Sequence, residues 1–301
     1  MLEALVAIGQ ILGLARAVES IQRLWSKWRQ KPVAETLAGR FLRLFEAHGV
    51  HRNQIPRFFG HGLQFKDVQD EVALLPCLTD EHLADACQLF GVERQWLERG
   101  EGNAHVRHHF YLRPQAFGIF LDELLAARKG LQDVELKAEL FGVPERQSQV
   151  DSTLLIAQPI GLLNDDVIYR YHQVDGGPLG YWKSRVSNSA LVAQALARNL
   201  WISGRLCNAR KLSSQTYEAD LWDTRERDAL MMGSRHMDVE DWLLEPQALL
   251  EGVDPEANRF GIISALVLWL KLETQGLMEH PFAKPDRRAV FQASLEAEKT
   301  V

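Results

Sequence analysis

Residues 41–99 read FLRLFEAHGVHRNQIPRFFGHGLQFKDVQDEVALLPCLTDEHLADACQLFGVERQWLER. Apolar residues recur here at helical spacing, and breaks fall at Gly49, Gly60–Gly62, Pro76, Gly91 and Gly100. The punctuation predicts five short helices at about 37–48, 51–59, 64–74, 79–90 and 93–98. Phe41, Leu44 and Phe45 would pack on Ile55, Phe58 and Phe59, with Leu63, Val68, Val72, Leu83, Ala86, Phe90, Val92 and Trp96 completing a small core. Thr79 or Asp80 can cap the fourth helix, although His82 stands where a full capping box would carry Glu or Gln.

This order of elements resembles the Xre-like, Cro-type helix-turn-helix family of phage and bacterial repressors over residues 36–101. Leu83, Phe90, Gly91, Val92, Trp96, Leu97 and Gly100 carry the likeness at its end, and Gly49-Val50, Ile55, Gly60, Leu63 and Val68 at its front. The resemblance implies a third helix laid in the DNA major groove, with Gln64, Phe65, Lys66 and Gln69 facing the bases and Arg52, Asn53 and Arg57 near phosphates. Residues 34–101 nevertheless hold seven Lys or Arg against eleven Asp or Glu. A fold retained for contacts with protein is therefore an equal reading, since phosphate neutralisation supplies most of the affinity for DNA.

Outward from this segment, the chain divides into an amphipathic, basic-ended stretch (1–33), the helix-turn-helix domain (34–103), a mixed α/β domain (104–212) and a helical region (213–301). The expected fold is mainly α with a central α+β domain built on a mixed antiparallel sheet. HHFYLRP, STLLIAQPIGLL and DVIYRYHQV read as strands, and VELKAELFGV alternates as a strand does, although its Glu, Lys and Ala would equally suit a helix. Asp175-Gly176-Gly177 reads as a turn into a further strand, LGYWKSRV, and the helix after it would be capped by Ser187 or Asn188. Tyr169, Tyr171, Tyr181 and Trp182, with Arg170, His172 and Lys183, would line either an effector pocket or an ordinary hairpin core; the effector itself is unknown.

Net charge is −6 over 301 residues, but it is sorted. Residues 176–217 contain no Asp or Glu and carry Lys183, Arg185, Arg198, Arg205, Arg210 and Lys211. This basic patch suits nucleic acid or an acidic surface of the chain or a partner, and Ser187–Ser189 could hold an anion at a helix start. Residues 16–31 set Arg16, Arg23, Lys27, Arg29 and Lys31 against Glu19 alone. The three cysteines lack metal-ligand spacing, the first apolar run is too short to span a bilayer, and GIISALVLWL (261–270) reads as a buried helix. Neither a signal peptide, a nucleophile elbow, a phosphate-binding loop nor a metal motif is present, so no catalytic residue, metal or cofactor is expected.

These readings point to a cytoplasmic, non-enzymatic, DNA-associated regulator, acting as a homo-oligomer or with a protein partner. The alternatives are an adaptor or assembly protein that keeps the helical fold, and a phage-defence component that binds nucleic acid through 176–217.

Overall fold

A computed structural model describes residues 35–128, 130–217 and 223–300. The amphipathic stretch 1–33 lies outside them. Five α-helical segments open the described chain: α1 (Leu37–Ala47), α2 (Ile55–Phe58), α3 (Glu71–Leu74), α4 (Asp80–Phe90) and α5 (Arg94–Arg99). They close on Phe41, Phe45, Ile55, Leu74, Phe90 and Leu97, all fully buried. The rings of Phe45 and Phe90 meet edge-on at 4.9 Å, a preferred aromatic geometry.

Capping residues account for the boundaries. Thr36 Oγ1 accepts from the Gly39 amide to start α1. Thr79 Oγ1 accepts from the His82 amide, and His82 Nδ1 accepts from the Thr79 amide. His82 therefore completes the capping box in place of Glu or Gln, with its Nε2 turned to the His61 carbonyl at 3.1 Å. Gly91 and Gly100 end α4 and α5 at φ +70, the left-handed region that glycine enters without a Cβ penalty.

The expected helix at 64–74 is shortened to Glu71–Leu74. Asp70 is extended at φ −150, ψ 174 and accepts from the Ala73 amide, so it caps a helix that can begin only after it. Asp67 Oδ2 likewise accepts from the Gln64 amide and holds 64–67 in a turn. Both acids compete with the helix for backbone donors. Val72 is correspondingly on the outside, 83% exposed, and not in the core.

A mixed six-stranded sheet follows, in the order β1-β4-β3-β2-β5-β6. Its strands are β1 (Arg107–His109), β2 (Lys137–Gly142), β3 (Asp151–Leu163), β4 (Asp166–Pro178), β5 (Ile202–Leu206) and β6 (Arg235–Met237). β1 runs parallel to β4 and β2 parallel to β5, while the remaining pairs are antiparallel. β3 alternates Leu154 and Ile156 toward one face with Leu155 and Ala157 toward the other, as a strand buried on both sides must.

The first face carries α6 (Pro114–Ala126), α7 (Trp182–Leu196), α10 (Pro246–Leu250), α11 (Phe260–Thr274) and α12 (Arg287–Thr300). Here Trp269 stacks on Phe291 at 3.6 Å and donates to the Trp242 carbonyl. The second face carries the five-helix module, α8 (Ala209–Tyr217) and α9 (Thr224–Met231), with Phe141, Leu155, Leu163 and Ile168 joining the module's core. Among the described residues no helix is long and apolar enough to cross a membrane.

The hairpin joins β3 to β4 through Asn164, at φ +58. Asp175-Gly176-Gly177 is not a turn but lies inside β4, and LGYWKSRV is not a strand, because α7 begins at Trp182. A Cβ on Gly176 would stand 2.3 Å from Ser152 Oγ and 2.8 Å from Asn188 Oδ1. The glycine lets α7 approach the sheet, and Asn188 uses the approach to donate to the Gly176 carbonyl and Ser152 Oγ.

Two buried polar devices hold the module together and against the sheet. Arg40, 6% exposed, donates to the Leu97, Glu98 and Glu35 carbonyls and so clamps α1 to the end of α5. His48 and His105 lie between module and sheet, with His48 5.6 Å from the Tyr171 ring and 6.2 Å from His105. Burial drives His48, His105 and His172 down to about 3. Neutral in the fold, they take up protons on unfolding below their ordinary value near 6.5. Stability is therefore full above about pH 6.5 and falls toward pH 3, by about 1.4 kcal/mol per pH unit for each histidine. Thermal melts from pH 7.5 to 4 are expected to show Tm dropping steeply below pH 6.5, and a flat profile would contradict the burial. Arg40→Ala is expected to cost about 2–3 kcal/mol in urea unfolding, since three carbonyls lose a charged donor.

Candidate interaction surface

The residues that the resemblance aligns with DNA fall into two groups. Gln64, Phe65, Lys66 and Gln69 are all exposed, on the segment that proves to be a turn and not a helix. Of the residues expected near phosphate, Arg52 Nε lies 2.6 Å from Glu46 Oε1, and Arg57 donates to Asn164 Oδ1 at 2.7 Å. Asn53 is exposed on the turn before α2. Around them Phe65, Val72 and Leu75 are 64%, 83% and 52% exposed, and Asp70 and Glu71 are exposed beside them. The open side of the module is thus apolar and acidic.

The six cations of 176–217 do not form one surface. Arg185 is 6% exposed on the first face, its guanidinium 4.7 Å from the Trp242 ring. Its Nε and Nη1 donate to the Leu179 and Leu249 carbonyls. Arg198 grips both oxygens of Asp122 on α6, at 2.7 and 2.9 Å. Lys183 sits over the Trp182 ring at 5.1 Å, and Arg205 is half-buried on β5. Only Arg210 and Lys211, at the start of α8, are both exposed and adjacent. Sequence spacing could count these charges but could not tell that a helix and a strand aim them in different directions. Ser187, Asn188 and Ser189 are buried inside α7 and hold no anion; Ser187 Oγ accepts from the Leu112 amide.

The aromatic residues of the expected effector pocket also separate. Tyr169 and Tyr171 line a cavity of about 700 Å³ on the second face, between β2, β3, β4 and α9. Lys137 lies over Tyr169 at 4.8 Å and Arg227 over Tyr171 at 4.7 Å, with Arg227 Nε 4.0 Å from Glu139. Tyr181 and Trp182 belong to the other face and its rim. Arg170 leaves the cavity altogether, donating to the Leu89 and Gln88 carbonyls at the end of α4. His172 pairs with Gln158 Oε1 at 3.0 Å.

Ligand atoms of His61, Glu81 and Asp85 come within 4.8 Å of one another at the foot of α4. His61 Nε2 already lies 3.4 Å from Asp85 Oδ2, and that pairing explains its position. The three cysteines are free thiols. The chain matches no protein-family model, no curated protein and no solved structure.

The Arg198 pairing can be checked directly. Its hydrogen bonds hold the Asp122 carboxyl below its ordinary range. Arg198→Gln is expected to let that value rise in an NMR titration, with a stability change under about 1 kcal/mol because the pair is exposed. An unchanged Asp122 would mean that Arg198 is available elsewhere.

Proposed function

We propose that this chain is a non-enzymatic adaptor or assembly protein whose helical module makes protein contacts through residues 64–75. The observation that supports this most is the exposure of Phe65, Val72 and Leu75 on the segment where a DNA reader would present polar and basic groups. Exposed apolar groups rimmed by acids fit a partner that is apolar and basic. The chain itself supplies such a segment, for residues 1–33 combine Leu5, Ile8, Leu12, Ile21, Trp25 and Trp28 with Arg16, Arg23, Lys27, Arg29 and Lys31. A homo-oligomer in which this stretch meets the module of another copy is the simplest assembly consistent with both features.

DNA association remains the second reading, favoured by the exposure of Gln64, Lys66 and Gln69. Against it stand the carboxylate beside Arg52, the short third helix and the module's acidic balance. Long phosphate contacts need cations that are not already engaged.

Light scattering on the eluting full chain separates the readings. An oligomer that Val72→Asp with Leu75→Asp converts to monomer, at unchanged circular dichroism, is the expected result. A wild-type monomer, or an oligomer indifferent to both substitutions, would overturn the assembly reading. Retention of a DNA fragment at ~50 mM salt, lost on Gln64→Ala with Lys66→Ala, would favour the regulator instead.

A further inference from the structure

The side chain of Arg185 is buried without a carboxylate. Its Nε and Nη1 are used by the Leu179 and Leu249 carbonyls, and Trp242 lies against its flat face. No acceptor among the described residues takes Nη2. Beside that nitrogen stands Gly252, at φ +75, whose missing Cβ would lie 3.6 Å away. A cavity of about 510 Å³ opens there, lined by Arg185, Arg146, Arg235, Asp241, Glu251 and Trp242, among others.

Burial pulls the guanidinium down to about 10, with Glu251 acting weakly against the shift. It therefore stays charged at neutral pH. Two carbonyls, the Trp242 ring and the more distant Glu251 compensate the buried charge only in part, and an oxyanion in the cavity would add to them. Nη2, oriented by the two bonds that Nε and Nη1 make, is left to donate to a carboxylate oxygen.

The rest of the wall argues for the kind of anion. His236 Nε2 lies 2.8 Å from Asp238 and gives that acid a hydrogen-bond partner. Asp241 and Glu251 have no ion-pair partner among the described residues, and Asp241 is raised by burial and by Glu245 and Asp238, with Lys284 acting against the shift. A dianionic phosphate would meet Arg146 and Arg235 favourably but Asp241 and Glu251 unfavourably. A ligand carrying an ammonium beside its carboxylate would relieve them.

We propose that this cavity binds a free α-amino acid, its carboxylate on Arg185 and its ammonium on the wall formed by Asp241 and Glu251. Ala248 and Trp242 leave an apolar side for the amino acid's own side chain. The site lies on the first face of the sheet, behind β5 and β6, and does not depend on how the module is used.

Calorimetry on the full chain with glycine, L-leucine, acetate and inorganic phosphate tests this. L-leucine is expected to bind one per chain, acetate at least about tenfold more weakly, and phosphate more weakly than L-leucine. Asp241→Asn, on the half-buried rim, is expected to weaken L-leucine about tenfold and leave acetate unchanged. Arg185→Lys, which keeps the charge but loses the oriented Nη2, is expected to weaken both by about tenfold or more. Should Arg185→Lys fail to fold, Asp241→Asn decides alone. Absence of amino-acid binding at millimolar concentration, tighter binding of phosphate, or affinity untouched by Asp241→Asn would each overturn the proposal.

Discussion

The sheet and its covering helices are arranged around β3, whose residues 152–159 are buried on both faces. Leu154 and Ile156 are covered by the helices of the first face, Leu155 and Ala157 by the second. A strand so placed has its backbone donors satisfied by β2 and β4, and each of its apolar side chains has to find a helix. The five-helix module is one of those helices' worth of cover. Its Phe41, Phe45 and Phe90 belong to the same buried cluster as Phe141, Leu155 and Ile168 of the sheet. That single constraint decides what the module is free to do, since one of its sides is spent on the sheet.

The side left over is the segment from Gln64 to Leu75. Its conformation is set by two acids that bond their own backbone, Asp67 to the Gln64 amide and Asp70 to the Ala73 amide. The same acids that shorten the third helix also give the surface its charge, so local structure and surface charge follow from one cause. The exposed Val72 and Leu75 sit immediately after the second of these caps, on α3 and the turn that follows it.

Much of the module was legible in the sequence because its signals are local. Gly91 and Gly100 stop helices, Thr79 starts one, and the apolar spacing from Phe41 to Trp96 follows the helical period. The strands from Asp151 and Asp166 were legible for the same reason, whereas the one from Lys137 carries Glu, Lys and Ala that suit a helix equally. The short third helix was readable in principle, since an Asp three residues before Ala73 is a capping position, but the apolar period through Val68 and Val72 masked it. Gly176 and Gly177 misled because a glycine pair serves a close helix approach as well as a turn, and only the position of Asn188 distinguishes the two. The basic stretch failed for a different reason: α7, the following loop and β5 send Arg185, Arg198 and Arg205 to separate places. Nothing local in the sequence marks Arg185 as the buried one, because the burying residues, Trp242 and Leu249, come from far along the chain.

The claim that module and sheet form one body is the one on which the rest stands. Native-state hydrogen exchange, followed at the amides of α1 and β3 in the wild type and in Leu155→Ala, tests it most directly. A shared core predicts that the substitution lowers protection in both elements by the same factor. If α1 amides kept their protection while those of β3 lost it, the module would be an independent unit and this account would be wrong.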